Sequence, residues 1–194
     1  MLKELLAHKN IILASGSPRR QQFFKDMDLS YSIRLKEIEE VYPAGLQGAE
    51  ITNYLAELKA NAFEKELDTN DLLITSDTIV WLNESALGKP TDAEDALAML
   101  QKLSNKTHEV ITSVCIKSIA KTEVFHCSTK VTFGTLSDEA IRYYLDQYQP
   151  FDKAGSYGIQ DWIGLIGISK IEGSYTNVVG LPTELLYQKL LSYV

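Results

Sequence analysis

Several residues in this chain have side chains suited to phosphate chemistry. Arg19, Arg20, Lys59 and Lys89, with the hydroxyls of Ser15 and Ser17, are of the types that hold a polyphosphate. Glu40, Asp77 and Glu172 are of the types that hold a divalent metal or accept a proton from water. Cations to grip phosphates, together with carboxylates to hold Mg²⁺ and activate water, are the parts that phosphoryl-group hydrolysis requires. No Walker A pattern and no G-x-G-x-x-G is present, so neither a P-loop nor a Rossmann nucleotide site is indicated. Histidines stand only at 8, 108 and 126, which gives no credible Ser-His-Asp set. His108 reads as a structural hydrogen-bonding residue.

Each candidate also has a plain structural reading. Arg19 and Arg20 fall in the first turn of a predicted helix, where the dipole favours acids. Either an anion binds there, or the arginines face solvent or pair with Glu37, Glu39 or Glu40. Asp77 interrupts the apolar run Leu72–Leu82. It either sits in a bulge or is displayed as a metal ligand or base; the cost of burying an unpaired acid favours the second. Lys59 lies at the edge of an apolar helix face, where a lysine commonly snorkels to solvent and otherwise serves a cleft. Lys89 stands between Gly88 and Pro90, which suits a positioned cation or a plain turn.

The elements that must carry these residues follow from pattern. Residues 1–10 read as a leading helix or arm, 11–14 as a buried strand, and 18–28 as a helix with Ser17 as N-cap and Pro18 at its first position. Tyr31–Leu35 alternates as a strand. Ala49–Leu67 reads as a helix with Ile51, Tyr54, Leu55, Leu58, Ala62 and Phe63 inward. Leu72–Leu82 reads as a central strand, 83–86 as a turn, and the helix after Thr91 as capped by a Thr91–Glu94 box. Residues 109–133 form a hairpin. A helix starts at Ser137 and stops before Pro150. Two glycine-bearing loops, 153–160 and 171–182, precede a final helix from Thr183 with Leu185, Leu186, Leu190 and Leu191 inward. The order predicts an α/β domain with one mixed sheet flanked by helices, two-lobed with a central cleft.

The chain has 194 residues, enough for one domain with a real core, and a formal net charge of -7. That charge argues against a nucleic acid polymer as partner but allows a small anion in a locally basic pocket. No apolar run is long enough to span a membrane. The start does not read as a signal peptide, and two cysteines make neither a disulfide framework nor a zinc site, so a cytoplasmic location is expected.

The run Ala14-Ser15-Gly16-Ser17-Pro18-Arg19-Arg20 resembles the N-terminal signature of the Maf family of nucleoside triphosphate pyrophosphatases. The likeness continues through Ser76-Asp77-Thr78-Ile79-Val80, Leu87-Gly88-Lys89-Pro90, Lys153–Gln160 and Glu172–Pro182, in the family's order. The resemblance implies a Maf/ITPase-like fold and hydrolysis of a nucleoside triphosphate to its monophosphate and diphosphate. It implies Asp77 as proton acceptor, and Arg19, Thr78 and Gln160 as positions tied to substrate choice. Glu40, Lys59 and Lys89 correspond to conserved polar positions. Thr78 and the Glu172-Gly173-Ser174-Tyr175 form resemble the dTTP/UTP-type subgroup rather than the 7-methyl-GTP type. The expected cofactor is a divalent cation, Mg²⁺ or Mn²⁺, with Glu40 and Asp77 as ligands, and a homodimer is implied. Asn105, Tyr148-Gln149 and Asp161 depart from the family pattern. The competing reading is a non-catalytic nucleotide-binding regulator of septum formation.

Overall fold

The computed structural model describes residues 1–194. In chain order the elements are α1 (Leu2–Leu5), β1 (Asn10–Leu13), α2 (Pro18–Asp26), β2 (Ser32–Ile33), α3 (Ala49–Asn61), β3 (Asp71–Leu82), β4 (Ser85–Leu87), α4 (Ala93–Leu103), β5 (Thr107–Lys117), β6 (Thr122–Phe133), α5 (Asp138–Tyr148), α6 (Trp162–Gly167), β7 (Ile168–Glu172), α7 (Tyr175–Val179) and α8 (Thr183–Leu190). The seven strands make one sheet in the order β2-β1-β3-β5-β6-β7, with β4 paired to β3. It is mixed: β1 runs parallel to β2 and β3, while β4 is antiparallel to β3 and β7 to β6. This is the expected mixed α/β fold. No helix is long and apolar enough to cross a membrane.

The chain forms two compact units. The first comprises Met1–Asp77, Thr112–Cys127 and Gly180–Val194; the second comprises Thr78–Ile111 and Ser128–Val179. In the first, the period-two alternation of a strand decides what packs where. Leu72 and Ile74 of β3 point toward Phe24, Leu29, Leu181 and Leu186, and so toward α2 and α8. Leu73 points the other way, onto Ala56, Ala60 and Phe63 of α3 and the turn after it. Covered on both faces, β3 reads as a continuous apolar run rather than an alternating one. The second unit has its own core, built from Val80, Leu100, Val110, Phe133, Ile141, Tyr144 and their neighbours.

Several boundaries differ from expectation for local reasons. The strand expected at 31–35 shrinks to Ser32–Ile33, both exposed at the sheet edge. Helix α3 stops at Asn61 and gives way to a short 3₁₀ turn at Glu64–Glu66. Tyr54 and Leu191, expected inward, are exposed. The cap of α4 is Asp92, not Thr91: its carboxylate accepts the Asp95 N–H at 2.8 Å, and Asp95 in turn accepts the Thr91 N–H at 3.0 Å. Ser17 occupies the N-cap position of α2 but makes no side-chain capping bond. The turn expected at 83–86 is a tight hairpin, with Asn83 and Glu84 both at positive φ (49° and 60°), that admits the short strand β4. The segment 171–182, expected as loop, contains the end of β7 and all of α7. Neither is long enough to show periodicity; α7 starts because Ser174 Oγ accepts the Asn177 N–H at 3.3 Å.

His108 has the structural role expected of it. It is 2% exposed, its Nε2 pairs with the Tyr157 hydroxyl at 2.7 Å, and its ring packs against those of Phe133 and Tyr157. Burial pushes its pKa down from 6.5 to about 4. The unfolded chain therefore binds the proton more readily than the folded one between those values. This contribution is fully present above pH 6.5 and is lost as pH falls through 4. Denaturant titrations should show the wild type losing about 3 kcal/mol over that range from this group. A His108→Gln variant should lack that component of the pH slope.

Candidate active site

The centre of the first unit's polar chemistry is Asp77, the last residue of that unit's first segment. Strand β3 runs through it without a break, so the bulge reading does not hold. Asp77 is 6% exposed, and a buried carboxylate at such a place needs a partner. Lys59 supplies it: Nζ donates to Asp77 Oδ1 at 2.7 Å. The same ammonium lies 3.0 Å from Glu40 Oε1, on the long connection between β2 and α3. Lys59 therefore does not snorkel to solvent; its side chain is 15% exposed and bridges two carboxylates.

The register that makes this meeting possible is set one step earlier. Thr75 lies on the α3 face of β3, two residues before Asp77. Its hydroxyl donates to the Ala56 carbonyl at 2.6 Å. Two residues along a strand advance ~6.6 Å, and three along a helix ~4.5 Å. With Thr75 pinned to Ala56, Asp77 thus comes opposite Lys59, one helical turn on. A second buried bond, Thr52 Oγ1 to Ser113 Oγ at 2.6 Å, holds α3 to β5.

Arg20 resolves the anomaly of cations at the start of α2. Its Nε donates to the Gly180 carbonyl at 2.8 Å and its Nη1 to the Ser76 carbonyl at 2.9 Å; Ser15 Oγ lies 3.4 Å from Nη1. The guanidinium thus ties together the loop before α2, the residue preceding Asp77, and the turn leading into α8. These two main-chain oxygens were not among the partners the sequence suggested. The surrounding protein pushes its pKa down through desolvation, with Asp77 opposing that change. Ser15 is buried and shapes the loop: its hydroxyl accepts the Ser17 N–H at 3.3 Å, and its carbonyl accepts from Gln21 Nε2 at 3.2 Å. Arg19, in the first turn of α2, is half-buried.

The remaining candidates belong to the second unit. Thr78 follows Asp77 on β3 and is half-buried; Lys89 is exposed after β4; Gln160 is exposed in the loop before α6. The loops bearing Lys89 and Gln160 are joined through the Gly155 N–H, which donates to the Gly88 carbonyl at 3.0 Å. Glu172 pairs with Lys170 at 3.1 Å on exposed β7. The Ser174–Asn177 motif supports the backbone: Asn177 Nδ2 donates to the Val110 carbonyl and to Thr129 Oγ1, both at 2.9 Å. Pattern reading missed the site-building role of Thr75. A threonine two residues before the candidate acid, on the same face of an apolar strand, was the available signal.

No group of three or more His, Cys, Asp or Glu side chains converges anywhere in the chain. Asp77 and Glu40 are a pair of hard oxygen donors. That donor set suits a cation of the Mg²⁺ or Mn²⁺ kind when substrate phosphates complete the shell, as such ions are commonly held.

Fold and site together define an α/β protein in which a strand-borne carboxylate, neutralised by a helix-borne lysine, stands beside a serine- and arginine-bearing loop. The family model for Maf-like proteins matches residues 10–193. A protein of Flavobacterium psychrophilum called dTTP/UTP pyrophosphatase is 67% identical over 193 residues, covering 100% of this chain and 99% of that one. One of Christiangramia forsetii with the same name is 53% identical over 190 residues, covering 98% and 97%. The solved structure of the Staphylococcus aureus Ham1 protein covers 96% of this chain and 100% of its own, with a TM-score of 0.51 at 16% identity, a likeness of fold. The chain belongs to the Maf family.

Two substitutions test the geometry. Lys59→Met leaves a buried carboxylate without its cation, which should cost about 3 kcal/mol in chemical denaturation. Arg20→Lys keeps the charge but cannot span the Gly180 and Ser76 carbonyls together. It should lower stability by about 2 kcal/mol by the same measurement.

Proposed function

We propose that this chain, acting as a single domain over residues 1–194, is a nucleoside triphosphate pyrophosphatase. It hydrolyses dTTP and UTP, and modified pyrimidine nucleotides, to the monophosphate and diphosphate. The observation that carries the reading is the Lys59 ammonium held 2.7 Å from Asp77 and 3.0 Å from Glu40. The names of the relatives support the substrate class.

In this reading Asp77 is the proton acceptor. One of its oxygens, Oδ1, is committed to Lys59, which fixes the plane of the carboxylate. Asp77 takes a proton as water attacks phosphorus, the bond from the α-phosphorus to its bridging oxygen breaks, and diphosphate leaves. A divalent metal held by Glu40, Asp77 and the substrate's own phosphates would neutralise charge on those oxygens. Lys59 and Lys89 neutralise negative charge as it builds on the leaving group, and Arg19 takes part in substrate choice. Ser15, Ser17 and Arg20 shape the loop that receives phosphate. Thr78 and Gln160 take part in substrate choice, Gln160 through an amide that both donates and accepts at a pyrimidine edge. The protein works in the cytoplasm as a homodimer.

The test is a panel of dTTP, UTP and CTP with Mg²⁺ or Mn²⁺, scored for monophosphate and diphosphate. Diphosphate should appear in step with monophosphate; orthophosphate as the first product, or nucleotide binding without turnover, overturns the reading. Asp77→Asn should lower kcat at least about 10²-fold, within the range that general-base catalysis contributes. Wild-type turnover in that variant would remove Asp77 from the role of base.

A further inference from the structure

The one ammonium of Lys59 answers both carboxylates that the proposed reaction calls on. Nζ donates to Asp77 Oδ1 at 2.7 Å and lies 3.0 Å from Glu40 Oε1. The two arms differ. The Asp77 side chain is 8% exposed and that of Glu40 44%. The longer and more exposed arm is the weaker, because water and salt screen it. Arg20, held on the Ser76 and Gly180 carbonyls, is a second cation whose charge Asp77 and Glu40 both favour. Two negative charges thus meet two positive ones within the protein itself.

A divalent cation that takes Glu40 and Asp77 as ligands must share them with this ammonium or displace it. In either case it meets like charge at short range, in partly buried surroundings where screening is weak. Charge balance acts the same way. The carboxylates are already neutralised, so a metal ion by itself leaves the group net positive. A triphosphate reverses that sign. Its oxygens carry several negative charges, and they offer an ammonium on a flexible four-carbon stem another anion to turn to. Arg20 has no such freedom, because its guanidinium spans two carbonyls.

We infer that Lys59 is a place-holding cation on Glu40. It excludes a divalent metal from the carboxylate pair until nucleotide phosphates arrive, then yields Glu40 while keeping Asp77. Metal and nucleotide consequently bind with positive coupling, each raising the affinity for the other. The inference rests on the reading of Asp77 and Glu40 as metal ligands. It gives Lys59 a part in the order of binding, besides its part in neutralising charge on the leaving group.

Mn²⁺ alone is the probe, titrated into nucleotide-free protein and followed by electron paramagnetic resonance. Lys59→Met should bind it at least about tenfold more tightly than the wild type does. Adding Glu40→Gln to Lys59→Met should erase that gain. Lys59→Gln, uncharged but still a hydrogen-bond donor, is the second variant if Lys59→Met does not fold. An α,β-methylene analogue of dTTP, which the proposed reaction cannot cleave, gives a second measurement. It should bind the wild type about tenfold more tightly with Mn²⁺ than without, and the Lys59 variant should show a smaller ratio. Unchanged Mn²⁺ affinity on loss of the Lys59 charge, a gain that survives Glu40→Gln, or an equal ratio in both proteins overturns the inference. If no protein of the series binds Mn²⁺, Glu40 is not a metal ligand and the inference falls with that assignment. Absence of dTTP turnover in the wild type strikes the proposed reaction instead, and the Mn²⁺ titrations still decide on Lys59.

Discussion

A carboxylate in the middle of a strand that is covered on both faces must be met by a cation, and the pairing of Asp77 with Lys59 meets that demand here. Removing an acid from water costs several kcal/mol unless a charge-assisted bond replaces the lost hydration. The ion pair therefore constrains more than two side chains. It requires α3 to lie along β3 in one register, which the Thr75 hydroxyl sets by bonding the Ala56 carbonyl. It also draws in Glu40, so the long connection after β2 acquires a fixed point. The candidate site and a constraint on helix placement are thus the same interaction.

Arg20 extends this constraint to the opposite face of β3. A guanidinium can reach several carbonyls at once, and this one holds Ser76 and Gly180. The residue before the candidate base is thereby tied to the turn into the last helix, far along the chain. A lysine ammonium, being a point charge, could not serve the two oxygens with the same geometry. Two arginines adjacent in sequence consequently have different surroundings. Arg20 grips two main-chain oxygens, while Arg19 lies half-buried in the first turn of α2.

The positions that stood out by residue type, Asp77, Lys59, Glu40 and Arg20, proved to be structurally connected. They stood out because each violates a local rule: an acid in an apolar strand, a cation at a helix start, a lysine at an apolar edge. Such violations persist only where the tertiary structure compensates them. Tyr144 and Lys153 violated nothing. A tyrosine on an apolar helix face and a lysine in a loop are ordinary, so the Tyr144 hydroxyl's bond with the Gly158 N–H and the Lys153 ammonium's place by Asp161 left no mark in the pattern. The short elements β4, β7 and α7 were illegible for a related reason. Three to five residues carry no period, and they exist because a hairpin turn, a neighbouring strand and the Ser174 cap hold them.

By itself the sequence determined the mixed α/β class, the central strand with its buried acid, and the residues suited to phosphate chemistry. These follow from composition, from periodicity and from motifs, all of which are local. Only the tertiary structure decided which cation answers which carboxylate and what Arg20 grips. Those outcomes depend on groups from distant parts of the chain arriving within 3 Å or so of one another, and hydrogen bonding is sensitive to tenths of an ångström. No local pattern carries that information, because the partner of each group is selected by the packing of whole elements.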